Sequence, residues 1–151
     1  MNIISGEEKD DVFCRDTSDG KICYARGRDP KTFEDAKLFC NQASGDLFAP
    51  TSESDIEYVR NKFGSSFGLW IGIENPSGDN EKWVYSHNQD ADVSFTNWHD
   101  GEPNIKDEKC GKMGDDKTTW FDIKCDKAND FICQFKVDPL CKFCNNLKKR
   151  W

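Results

Sequence analysis

Eight cysteines in 151 residues constrain this chain more than any other feature. That density suits an oxidising, extracellular setting, where disulfides persist and staple loop-rich domains. The even number permits complete pairing, although spacing alone leaves the connectivity open. The length fits one domain of ordinary size. Five Trp and eleven Phe supply enough apolar surface for a core.

The formal net charge of -7 argues against nucleic acid as a partner, because phosphate binding needs a basic face. It suits a site that attracts cations. No apolar run approaches membrane-spanning length, so membrane insertion is not expected. The start, Met1 to Glu7, lacks an apolar signal core and reads as the beginning of a mature, secreted chain carrying an added start Met. Asn75-Pro76-Ser77 is spoiled as a glycosylation sequon by its proline.

Three divisions follow along the chain. Residues 1–12 are polar and acidic and read as a flexible arm. Residues 13–136 read as the folded domain, and 137–151 as an appended tail with its own cysteine pair and the basic cluster Lys148-Lys149-Arg150. Within the domain, turn formers between Cys14 and Cys23 suggest a stapled hairpin leading into a strand, Lys21 to Arg26. Thr32 and Asp35 form a capping pattern, and Phe33, Ala36, Cys40 and Ala43 recur at helical spacing, with Gly45 expected to end the helix. Ser52 and Asp55 open a second helix with the stripe Ile56, Val59, Phe63. Leu69 to Ile73 is a buried strand, and Lys82 to Tyr85 alternates like a half-buried one. The irregular stretch Ser86 to Lys109 is long enough to be functional. Strands are then expected at Cys110–Met113, Thr118–Ile123 and Phe131–Phe135.

Glu102, Asn104 and Glu108 place three oxygen-bearing side chains within one short segment, and Trp120-Phe121-Asp122 follows. Carboxylates and an amide are what a hard cation such as calcium takes. Cys110 and Cys125 look placed to tie the two segments together. Taken singly, these acids read as ordinary solvated surface groups; their order and spacing give them a shared purpose. The chain therefore reads as a binding module and not an enzyme.

The order of elements, the cysteine positions, Trp70-Ile71-Gly72, Trp98 before Gly101-Glu102-Pro103-Asn104, Trp120-Phe121-Asp122 before Cys125, and Phe131-Ile132-Cys133 together resemble the C-type lectin-like domain. The resemblance covers roughly Phe13 to Lys136. It implies an α+β fold of two helices with two small antiparallel sheets and a long calcium-binding loop, stapled by Cys40–Cys133, Cys110–Cys125 and Cys14–Cys23. It further implies one Ca2+ held by Glu102, Asn104, Glu108 and Asp122, with a cis bond before Pro103 turning its neighbours to the same side. Two adjacent sugar hydroxyls would replace water on the ion while Glu102, Asn104 and Glu108 hydrogen-bond to them. Glu-Pro-Asn goes in that family with mannose, glucose, fucose and N-acetylglucosamine, whereas galactose binders usually carry Gln-Pro-Asp.

Phe121 departs from the sugar-binding pattern, which has Asn there, and the Trp-Phe-Asp segment resembles that of tetranectin-like members. Phe121 would instead offer a flat apolar surface to a sugar ring or a protein. The function implied is a secreted, calcium-dependent lectin of mannose type that takes glycans or glycoproteins. The alternative is a calcium-stabilised protein-binding or ice-binding module with little simple-sugar affinity. A second family-type calcium site looks degraded: Asn75 and Asp79 are suitable, but Ile105 and Lys109 stand where acids are expected. His87 and His99 are too few for a histidine-based metal or catalytic site. Cys141 and Cys144 could pair locally or bridge two chains into a homodimer, which would raise avidity without new contacts.

Overall fold

The computed structural model describes residues 12–64, 68–116 and 118–137. Residues 1–11 of the expected arm, and Cys141 and Cys144 of the expected tail, lie outside them. The N-terminal hairpin consists of β1 (Val12–Thr17) and β2 (Gly20–Arg26). Cys14 stands directly opposite Cys23 in this ladder, and the two are bonded. The hairpin is anchored from outside: the Arg15 guanidinium lies 5.0 Å from the centre of the Tyr58 ring and pairs with Asp55, while Tyr58 donates to the Cys14 carbonyl at 3.0 Å.

Helix α1 (Phe33–Gln42) starts where its cap predicts, with the Thr32 hydroxyl accepting from the Asp35 amide at 3.3 Å, and it buries Phe33, Ala36 and Cys40. Its end differs from the expectation. The left-handed residue is Ser44, at φ 64°, and the amides of Ser44 and Gly45 donate back to the carbonyls of Asn41 and Cys40. Gly45 answers a different need: a Cβ there would lie 2.6 Å from the Phe135 ring. Helix α2 (Glu53–Phe63) is capped by Ser52, and Asp55 reaches back to the Thr51 amide at 2.9 Å. It buries Ile56 and Val59, while Phe63 is partly covered and meets Phe13 edge-to-face.

β2 pairs antiparallel with the last strand, β9 (Asp130–Val137), and β9 also takes the two-residue β3 (Asp46–Leu47), which lies between the helices. The second sheet is built on β4 (Leu69–Glu74), buried along its whole length. β4 pairs antiparallel with β5 (Val84–Tyr85) and β7 (Cys110–Met113); β5 pairs with β6 (Asn88–Asp92), and β7 with β8 (Trp120–Ile123). A short parallel pairing of Leu69 and Trp70 with Asp130 and Phe131 joins the two antiparallel sheets through β9.

Several strands differ from the expectation at their ends, for local reasons. Asp79 takes the amides of Glu81 and Lys82, so β5 starts at Val84. Asp116 takes the amides of Thr118 and Thr119 and the Thr119 hydroxyl, so β8 starts at Trp120. β6 occupies part of the stretch expected to be irregular; its mostly exposed Asn-Gln-Asp run offers no apolar alternation.

The core wraps Trp70, Trp120, Tyr24, Phe33, Phe48 and Phe131, all essentially without exposure. Cys40–Cys133 ties α1 to β9, and Cys110–Cys125 ties the start of β7 to the segment after β8. All three pairings are those the family resemblance implies. Among the described residues no cysteine is free.

Candidate metal and ligand site

The site is assembled on β8. Along that strand Trp120 and Asp122 are buried, while Phe121 and Ile123 are partly exposed on the other face. The segment before the Glu102 loop runs beside it: Trp120 donates to the Asn97 carbonyl, and the His99 amide donates to the Trp120 carbonyl, each at 2.9 Å. Trp98 packs on Trp120 with ring centres 5.8 Å apart and on Trp83 at 4.8 Å. These aromatic contacts fix where the loop leaves the core.

Asp122 is only 5% exposed, and a carboxylate so far from water needs strong partners. It finds them in the loop, accepting from the Asn104 amide at 3.1 Å and the Ile105 amide at 2.9 Å. The Glu102–Pro103 bond is cis, as the resemblance implies. The Asn104 side-chain amide donates to Glu102 at 2.9 Å, so these two side chains stand side by side.

The electrostatics of this group are strained by like charge. Contact with the Asp122 carboxyl, then burial, then the negative charges of Asp122 and Glu108 push Glu102 up to about 7. Burial first, and Asp122 second, raise Glu108, against an opposing pull from Lys124. The structure thus brings Glu102, Asn104 and Asp122 together, with Glu108 near enough for its charge to be felt. Among the described residues no three His, Cys, Asp or Glu side chains converge as closely as a finished metal site requires. Carboxylates facing one another without a counter-charge repel, and a cation removes that cost. The donor set fits calcium: carboxylate and amide oxygens only, with no thiolate or imidazole.

The charge arrangement gives a pH prediction. The fold without metal holds a proton on Glu102 more tightly than the unfolded chain does, so its stability should fall as pH rises from the ordinary Glu range through about 7. A cation must displace that proton, so calcium affinity should rise over the same interval. About 50-fold between pH 5 and 7 is expected from this one group. Calorimetry at several pH values checks it; affinity flat down to the ordinary carboxylate range would contradict it. The window lies above the reference carboxylate range of about 4 expected from residue type alone.

Phe121 offers no oxygen to a cation. Its ring stacks on His99, with centres 4.9 Å apart and planes 24° apart. Phe121 also lines an open hollow of about 360 Å3, together with Glu108, Lys112, Gly114, Asp115, Asp122 and Ile123. Sequence reading did not single out Lys112. The signal was there in principle, since antiparallel pairing sets Lys112 directly across from Phe121.

The suggested second-site residues are engaged elsewhere. Asn75 is fully buried and donates to the Lys82 carbonyl at 2.9 Å and to Asp79 at 3.2 Å. The Glu81 amide, with Ser77 and Asn75, holds the Asp79 carboxyl well below the usual range. The Lys109 stem crosses the same turn at Gly78, and Ile105 is half-exposed. His87 packs on Tyr85, away from His99.

Residues 29–135 match the family model described as Lectin C-type domain. Mouse C-type lectin domain family 6 member A is 25% identical over 120 residues, covering 78% of this chain and 57% of that protein. Human lithostathine-1-beta is 30% identical over 122 residues, covering 76% of this chain and 72% of that one. Among solved structures, the mouse scavenger receptor C-type lectin carbohydrate-recognition domain superposes with a TM-score of 0.71 at 25% identity, covering 83% of this chain and 96% of that one.

Proposed function

Because the chain belongs to the C-type lectin domain family, we propose that it is an extracellular, calcium-dependent glycan-binding protein of mannose type. The observation that carries this reading is the Asn104 side chain lying against Glu102 above a buried Asp122 whose carboxylate holds the same loop. Glu102, Asn104, Glu108 and Asp122 would hold the ion. Bound calcium would supply open coordination positions for two neighbouring sugar hydroxyls. The chain's own part is to orient them. Glu102 and Glu108 accept hydrogen bonds from the hydroxyls, and the Asn104 amide donates one, which suits vicinal equatorial hydroxyls such as the 3- and 4-positions of mannose, glucose or N-acetylglucosamine. Nothing in the arrangement calls for bond making, so the reading is a binding module without turnover.

A glycan array in calcium and in chelator tests this. Calcium-dependent signal on mannose-type glycans is expected, and the pair Glu102→Gln with Asn104→Asp should move preference toward galactose by exchanging acceptor and donor sides. Absence of any calcium-dependent glycan signal would sink the reading.

A second reading is supported by Phe121, which presents its stacked ring where a donor side chain would grip sugar. In it, calcium shapes the loop and the partner is a protein. A protein partner retained in saturating mannose would favour it. Dimerisation through Cys141 and Cys144 belongs to the same proposal as a source of avidity, and non-reducing electrophoresis reports it.

A further inference from the structure

We propose that the open hollow lined by Trp83, Trp98 and Pro103 is a calcium-independent site for the acetamido group of an N-acetylated amino sugar. The group is held by the Trp83 indole N–H and the Asn80 side-chain oxygen. The site goes beyond the calcium-dependent reading and does not need it: Pro103 lines the hollow, but Glu102, Asn104, Glu108 and Asp122 do not.

The hollow measures about 270 Å3, and its walls are held by contacts already in place. The Trp83 and Trp98 rings meet with centres 4.8 Å apart, and the Val93 amide donates to the Trp83 carbonyl at 3.0 Å. Asp79 takes the Glu81 and Lys82 amides, and the Asn75 side chain donates to the Lys82 carbonyl at 2.9 Å, so the turn that carries Asn80 is fixed as well. Within this frame two polar atoms are left over. Trp83 is only 7% exposed, and its indole nitrogen is buried with no acceptor among the described residues. Asn80 Oδ1 is buried with no donor among them. A buried polar atom left unpaired is destabilising, so an unpaired donor and an unpaired acceptor on one hollow call for a ligand that supplies both partners. The ligand reaches them by displacing the exposed side chains of Glu81 and Lys82, which stand between Asn80 and Trp83 in the sequence.

The chemistry of the ligand follows. An amide is a compact neutral group with acceptor and donor side by side: its carbonyl takes the Trp83 N–H, and its own N–H goes to Asn80. A hydroxyl also does both, but it brings no methyl to lay against Trp98, Val93 and Pro103. An ammonium has no lone pair for the indole. An anion would meet Glu81 and Asp92, and Lys82 is already paired with Asp92 at 3.4 Å. The bearer of the amide is a sugar because the exposed residues of the hollow, Glu81, Asp92 and Thr96, carry oxygens that accept from ring hydroxyls.

The test follows the indole N–H signals of the full, 15N-labelled chain by NMR in chelator, with Trp83→Phe identifying the Trp83 signal among those of the five tryptophans. N-acetylglucosamine should move that proton downfield, as a new hydrogen bond does. Glucose, glucosamine and methyl α-mannoside, which lack the acetamido group, should bind at least about tenfold more weakly. Asn80→Gly removes the acceptor and suits the backbone there, at φ 63°. It should weaken N-acetylglucosamine about three- to tenfold, as should Trp83→Phe, which keeps an aromatic wall. Asn80→Gly carries the comparison alone if Trp83→Phe does not fold. A Trp83 signal unmoved by N-acetylglucosamine would mean that water alone satisfies these atoms, and would overturn the inference. So would equal binding of glucose, or affinity unchanged in Asn80→Gly. None of these results touches the calcium-dependent reading, and failure of mannoside to bind in calcium would leave this site standing.

Discussion

Replacing Asp122 by Ala is expected to lower calcium affinity by at least about 100-fold, the upper end of what losing even an outer-shell partner costs a metal site. The carboxylate has two tasks. It would be a ligand, and it is the acceptor that holds the Asn104 and Ile105 amides, so its loss also frees the loop that carries Glu102 and Asn104. A third effect runs the other way and serves as a signature. Contact with Asp122 is the largest cause of the raised Glu102 pKa, so in Asp122→Ala the Glu102 carboxyl should titrate closer to its ordinary value. Calcium titration combined with carboxyl NMR reads both. Unchanged calcium affinity, or a Glu102 that still titrates near neutrality, would contradict this account of the site.

The second large effect concerns the fold. Removing the Cys40–Cys133 bridge by replacing both residues with Ala should cost about 2–5 kcal/mol, because the bond closes a loop spanning 93 positions. It joins α1 to the strand shared by both sheets, and both of its cysteines lie fully within the core. A small domain has only about 5–15 kcal/mol of stability in all, so the variant should melt several degrees lower and expose more chain to denaturant. Removing Cys14–Cys23, which spans only 9 positions on a partly exposed hairpin, should cost clearly less. Denaturant unfolding of the two variants decides the order; a larger loss from the hairpin bridge would contradict it.

How much of this was legible in the sequence depended on the kind of signal. The helices were readable because Thr32 and Ser52 are capping residues in front of apolar stripes, and the caps form as read. β4 and β7 were readable as short apolar or cysteine-bounded runs. The end of α1 was not: Gly45 looked like the terminator, while the left-handed turn falls on Ser44 and the glycine is demanded by Phe135, a contact across 90 positions. β3 and β6 escaped because one has two residues and the other, apart from Ala91, is polar and exposed. The strand starts at Val84 and Trp120 depend on aspartates that capture neighbouring amides, a local chemistry that competes with the ladder.

At the site, residue types and spacing pointed to Glu102, Asn104 and Glu108, and the family resemblance added Asp122. Their spacing did not reveal that Asp122 anchors the loop by backbone amides, nor that Glu102 and Asp122 crowd each other enough to move titration toward neutrality. Lys112 became visible only when the β7–β8 register placed it across from Phe121.

The central claim, that one calcium bound at this loop in turn holds a sugar, is met most directly by a single calorimetric series near neutral pH. The metal-free protein is titrated with calcium, then with methyl α-mannoside, and the sugar step is repeated after chelation. The account predicts one calcium per chain at the loop and sugar heat only while calcium is present. No calcium heat, or sugar binding that survives the chelator, would contradict it.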